Sequence, residues 1–218
     1  RVGGMLRSRK YLTPAKTQIT GGRLSSLGTA LFEHVYNKPI PFPFDGFTTS
    51  RGNAAKTCQS FTSDLLLNRL DWDAVMSKPV KERNRADTVL KRSWGIFAKY
   101  GSVRTRPENT LIRRLTEDWD VALKSPDQRL NLSQALKTLC APPYGANLAS
   151  AGMILGVYIA ARSGQVSILK DNNAMDTTQW MQKGLFKGFY LDPNTLHETY
   201  LAFTGDHTSE WDVLLDEW

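Results

Sequence analysis

Cysteine is nearly missing from this sequence: Cys58 and Cys140 are the only two in 218 residues. Standing 82 positions apart, they make neither a zinc spacing nor a disulfide framework, and reduced thiols in the cytoplasm are the expectation. Histidine is almost as scarce. His34, His197 and His207 show no HExxH or other ligand spacing, so they are expected on the surface or in loops. Glu198 and Asp206 adjoin His197 and His207 and would serve as acid-base partners only if a cleft gathered them. There is no GxSxG elbow, and no histidine lies near either cysteine to activate it. The carboxylate pairs Asp71/Asp73 and Asp118/Asp120 read as helix-cap or exposed-face charges. No catalytic residue, metal or cofactor is indicated.

Long hydrophobic runs are lacking too. The longest, Ala146 to Ala161, has 16 residues and includes Asn147 and Ser150, whereas a membrane span needs roughly 20. Ala149, Ala151, Gly152 and Gly156 permit close helix approach, so the run predicts a buried core helix and no membrane association. The chain begins at Arg1 with no basic-then-apolar leader, a start that looks cut. Near the other end Ser209 can cap a helix carrying Trp211, Leu214, Leu215 and Trp218 on one face. It stops in mid-pattern, and more protein is expected to follow. A complete phosphate loop is also absent. In Ser50-Arg51-Gly52-Asn53-Ala54-Ala55-Lys56-Thr57, Ser50 and Ala55 occupy the places of the two glycines, so a capped helix start is the reading.

What the sequence does contain is enough apolar mass to fold. Hydrophobic residues make up 41% and charged residues 22%, with six Trp and nine Phe, which excludes a disordered chain. The net charge of +7 is unevenly spread. Residues 1–124 hold 22 Lys/Arg against 11 Asp/Glu, and residues 125–218 hold 6 against 10. A basic half joined to an acidic half predicts two surfaces, with any polyanion-facing one in the first. Solvated helix faces beside an acidic partner domain would produce the same imbalance.

Residues 1–23 predict an irregular basic arm. Leu24, Leu27, Leu31 and Val35 follow at helical spacing. Pro39, Pro41 and Pro43 force extended backbone, and the interleaved Ile40, Phe42 and Phe44 should pin it to the core. A helix capped by Asn53 carries Cys58, Phe61, Leu65 and Leu66, and Asp71 caps a short turn. A longer helix opens near Pro79, bears Leu90, Trp94 and Phe97, and stops at Gly101. A short extended run follows from Val103 to Arg106, and Asn109 begins a helix with Leu111, Leu115, Trp119 and Ala122. The first half reads as a small helical bundle.

Character changes near Ser125-Pro126, dividing the chain into 1–124 and 125–218. Asn131 or Ser133 caps a helix that Pro142-Pro143 halts, Tyr144-Gly145 turns, and Asn147 opens the apolar helix. Strand patterning then covers Gln165 to Lys170, Phe186 to Leu191 and Glu198 to Thr204, with a turn at Asp171-Asn172-Asn173 and a short helix ending at Gly184. The order helix, turn, buried helix, strand, turn is that of winged-helix modules. The predicted fold class is therefore mainly α (α+β): an N-terminal helical bundle, then a winged-helix-like unit with a small β-sheet.

Basic residues cluster from Lys78 to Arg114. Lys81, Arg85 and Arg92 are spaced by four and seven, so one side of an α-helix would present them together, with Arg104, Arg106, Arg113 and Arg114 close behind. These seven are the candidate nucleic-acid-binding residues, since such a row suits phosphate neutralisation. Glu82 and Asp87 interrupt it, as on an ordinary solvated face.

The segment Leu139-Cys140-Ala141-Pro142-Pro143-Tyr144-Gly145, followed by the small-residue helix and Gly164-Gln165-Val166, resembles one particular region. It is similar to the PPYG-type turn and winged-helix region downstream of the ATPase core in large bacterial phage-defence ATPases of the BREX kind. The resemblance covers about residues 130–175. It implies a cytoplasmic role in antiviral defence beside an ATPase motor, in DNA surveillance or complex assembly. The departure is the missing nucleotide loop, so ATP hydrolysis is not assigned here. Locally, Pro142, Pro143, Tyr144 and Gly145 read as a rigid interhelical turn.

The leading expectation is a non-catalytic accessory region of a larger intracellular NTPase that mediates protein assembly or DNA contact, its partners being DNA and the rest of that protein or complex. The alternatives are a metal-dependent nuclease with an unrecognised carboxylate site, and a scaffold that binds through its widest apolar patch.

Overall fold

The computed structural model describes residues 24–47, 52–124 and 129–204. The expected basic arm, the 125–126 boundary and the terminal helix lie outside them. Among the described residues the fold is mixed α+β, with eight α-helices and small antiparallel sheets that follow a helical first part.

Helix α1 spans Leu24–Val35 and leads into the proline segment. There Ile40 and Phe44 are buried and Phe42 packs against the core, as the alternation predicts. Helix α2, Asn53–Leu66, buries Cys58, Phe61, Leu65 and Leu66. Its cap is not the predicted Asn53 but Gly52, whose φ of 92° favours glycine. Asp71 caps α3 (Trp72–Ser77) by accepting from Ala74 N at 2.7 Å.

Helix α4, Val80–Ala86, runs straight into a π-helical turn, Asp87–Ser93, where Trp94 N donates to Val89 O, five residues back. The helix ends at Trp94 and not at Gly101. Gly95 reverses the chain at φ 61°, and only glycine fits there, because a Cβ would meet Glu108 at 2.4 Å. Phe97 therefore leaves the helix and bridges Val103 in a tight hairpin. Helix α5, Thr110–Leu123, is capped by Asn109, whose side chain accepts from Leu111 N and Ile112 N.

Strand β1 (Leu130–Asn131) precedes α6 (Leu132–Cys140) and α7 (Leu148–Ala161), capped by Asn131 and Asn147. Strands β2 (Val166–Lys170) and β3 (Asn173–Met175) form a hairpin whose two turn residues, Asp171 and Asn172, have φ of 51° and 64°. Helix α8 is Thr177–Met181. The predicted single strand from Phe186 to Leu191 is instead a hairpin of β4 (Phe186–Lys187) and β5 (Tyr190–Leu191), turned at Gly188. Strand β6, Thr199–Phe203, completes the larger sheet in the order β1-β6-β2-β3.

Helix α5, strand β1, helices α6 and α7 and strand β2 follow one another along the chain. The last strand of the larger sheet, β6, joins it only after residues 171–198. Strand β3 lies at the sheet edge, and β6 pairs with β2 from Val166↔Phe203 to Lys170↔Thr199.

Helix α7 is the axis of the core, buried from Ala149 to Ala160. Cys58 Sγ approaches Ala149 O at 3.7 Å and Leu65 faces Gly156, so α2 and α7 run parallel in close contact. A Cβ at Gly156 would lie 3.0 Å from Leu65, and one at Gly152 3.3 Å from Leu191 of β5. Each large apolar side chain buried this way contributes about 1.5–3 kcal/mol. The core includes side chains from both halves of the sequence.

Candidate nucleic-acid interface

The seven basic residues divide into two groups. Arg85 is 4% exposed and faces inward. Its guanidinium donates to Asp45 O at 3.0 Å and Thr57 Oγ1 at 2.9 Å, and lies 5.4 Å from the Phe44 ring centre. It staples the proline segment to α2 and is not presented beside Lys81 and Arg92 as the spacing predicted. Arg85 stands four residues before buried Val89, on the apolar stripe itself. The wider π turn also shifts the residues after Asp87 from their α-helical positions.

Arg104 and Arg113 serve the loop before α5. Arg104 pairs with Glu108 at 2.9 Å and donates to Phe97 O at 2.6 Å. Arg113 donates to Pro107 O and Glu108 O at 2.9 and 3.0 Å. Carbonyl oxygens held this way are backbone acceptors satisfied inside the fold.

Lys81, Arg92, Arg106 and Arg114 are exposed. Arg92 pairs with Asp87 at 2.7 Å and bonds Thr88 at 3.0 Å, and Arg106 stands 3.8 Å from Glu117. Exposed pairs of this sort contribute about 0–1 kcal/mol, so either guanidinium can exchange a carboxylate for a phosphate. Lys91, beside Arg92, lies 3.8 Å over the Trp72 ring.

Helix α7, the buried helix of the expected winged-helix order, is enclosed by α2, α5, α6 and β5. Sequence-specific insertion of α7 into a DNA groove would require unpacking the core.

Pro142-Pro143 is a cis peptide, and the PPYG turn is a structural junction. Tyr144 N and Gly145 N donate to Ala141 O at 3.0 and 3.1 Å. Pro143 O and Tyr144 O accept from Lys38 N and Ile40 N, both at 3.1 Å, so the proline segment lies along the turn. Gly145 has φ 60°, and a Cβ there would come 2.6 Å from the Tyr36 ring. Tyr144 also lines a cleft of about 270 Å³ between α5 and α6, with Leu115, Trp119, Leu130 and Leu139.

The candidate reactive groups are not assembled. Burial pushes the Cys58 thiol up to about 12 and raises Cys140 as well, the opposite of an activated nucleophile. His197 is exposed beside Glu198 at 3.9 Å, and His207 lies outside the described residues. Of the loop-like segment 50–57, Ser50 and Arg51 lie outside the described residues, and the remainder starts α2. Among the described residues, no three His, Cys, Asp or Glu side chains gather as metal donors. Nor is any described helix long and apolar enough to cross a membrane.

Asp120 proves to be more than a face charge. It accepts from Arg162 Nε at 2.7 Å and Nη2 at 2.5 Å, and from the Tyr158 hydroxyl at 2.8 Å. The Tyr158 ring lies edge-on to Trp119 and 4.1 Å beneath the Arg162 guanidinium, and its burial raises the phenol's pKa. This partly buried group ties α5 to the C-terminal end of α7. The only hint of it in the sequence is an arginine one turn after a tyrosine, closing an apolar run.

Comparison with family models, curated proteins and solved structures found no match.

Proposed function

We propose that the chain is a non-catalytic region of a larger intracellular NTPase that contacts DNA through phosphates, using exposed cations of the first half. The observation that carries this reading is the division of the basic residues: Lys81, Arg92, Arg106 and Arg114 stand exposed, while α7, the helix a winged-helix reading would bring to a DNA groove, is buried. Cations without an accessible reading helix suit backbone contact and little direct base readout. The larger protein as a cytoplasmic phage-defence ATPase is supported by the PPYG resemblance, and the two free cysteines fit a reducing compartment. The nuclease alternative finds no gathered carboxylates among the described residues.

The test is duplex DNA binding across salt. We expect binding at low salt that weakens steeply as salt rises. Lys81→Glu with Arg92→Glu should flatten the log–log salt slope by about 2, near 0.9 per phosphate contact. Absence of binding at low salt, or an unchanged slope in the double variant, rejects the reading. A second reading, protein assembly, is favoured by α1, where Leu31 and Phe32 are 45% and 50% exposed.

A further inference from the structure

The hairpin between the π turn and α5 carries the most exposed large hydrophobic residue described, Tyr100 at 87%. One exposed aromatic is ordinary by itself. This one sits on a tip that is firmly held. Ala98 N donates to Ser102 O at 2.8 Å, Gly101 N to Ala98 O at 3.0 Å, and Trp72 N to Gly101 O at 2.9 Å. Beneath the tip, the Phe97 and Trp72 rings lie 5.4 Å apart, and Arg104 holds the Phe97 carbonyl. Gly101, at φ 89°, brings its backbone against Trp72, where a Cβ would lie 3.2 Å from Trp72 Cβ. Tyr100 is thus presented to solvent by a loop anchored on both sides.

Its surroundings are cationic. Lys99 Nζ is 5.8 Å from the Tyr100 ring, and Lys91 Nζ covers the Trp72 ring on which the tip rests. Of the nearby carboxylates, Asp71 is engaged in capping α3, and Asp73 is exposed. An aromatic face beside cations is what a single strand requires: the ring stacks on a base and the cations meet its phosphates. A duplex keeps its base faces stacked and offers the ring nothing.

We infer that Tyr100 is a stacking platform for an unpaired base, with Lys91 and Lys99 meeting the adjoining phosphates, so that this surface prefers single-stranded over duplex nucleic acid. The inference rests on the nucleic-acid reading above and adds the strand state of the ligand.

The test is fluorescence anisotropy with a labelled oligothymidylate of about 16 nucleotides and a duplex of equal length, at about 50 and about 200 mM salt. The wild-type chain should prefer the single strand. Tyr100→Ala should weaken the single strand about tenfold and leave the duplex within about twofold, while Tyr100→Phe retains binding. An unchanged single-strand affinity in Tyr100→Ala, or equal loss for both ligands, overturns the stacking role and leaves salt-dependent phosphate contact standing. Failure of the wild-type chain to bind either ligand removes both readings. Circular dichroism of Tyr100→Ala checks that the exposed substitution leaves the fold intact.

Discussion

Helices α5 and α7 have the same length, 14 residues, and the same kind of asparagine cap, yet they occupy opposite kinds of place. In α5, Ile112, Leu115, Trp119 and Leu123 are buried while Arg114, Glu117, Asp118 and Val121 remain in water. In α7 no side is left over. The difference lies between the caps, where an amphipathic stripe in α5 is replaced by apolar and small residues all round in α7. Small residues do there what a polar face does for α5: they specify what comes alongside. The lesson bears on the proposed DNA contact, since the fully buried α7 is the helix least able to leave the core.

The comparison can be broken most severely where the two helices are tied. Asp120→Ala leaves Arg162 buried without its carboxylate and should cost about 3–5 kcal/mol, read as a lower urea midpoint. Asp120→Leu with Arg162→Met should recover much of that loss, because the two charges vanish together. Failure to recover would mean that the pair contributes more than mutual compensation. Next in size, Ile154→Ala in α7 should cost about 2–5 kcal/mol, whereas Val121→Ala in α5 should stay within about 0.5 kcal/mol. Equal losses would contradict the one-sided burial of α5.

Last, and absent at neutral pH, is a pH effect on the contact between α2 and α7. Burial raises the Cys58 thiol from 9.0 to about 12, so the folded state holds its proton where the unfolded chain releases it. That contribution is complete below about pH 9 and falls by about 1.4 kcal/mol per pH unit up to about 12. Urea unfolding at rising pH should show the decline, and Cys58→Ala should flatten it. A decline of the same steepness in Cys58→Ala would assign it to other groups, Tyr158 foremost.

Much of this architecture is legible in the sequence because its causes are local. Asp71, Asn109, Asn131 and Asn147 cap the helices that their spacing announces. The alternation from Ile40 to Phe44 pins the proline segment as expected. What escaped depends on neighbours distant in sequence. The π turn shifts the register after Asp87, and the space behind Gly95 belongs to Glu108. Spacing from Lys81 and Arg92 puts Arg85 on a basic side, yet its spacing from Val89 puts it equally on the buried stripe, where Thr57 and the Asp45 carbonyl receive it. At the candidate interface the basic residues were visible as types. Which of them hold carbonyls and which face water was not, because that depends on where Pro107, Phe97 and Asp45 come to rest.

The late arrival of β6 has a consequence for any shortened form of this chain. It lies between β1 and β2, so ending the polypeptide before Thr199 would strip hydrogen-bond partners from both strands at once. Two bare β edges would face solvent, each a template for recruiting another chain. Such a truncation should aggregate through strand addition, while its helices retain most of their contacts.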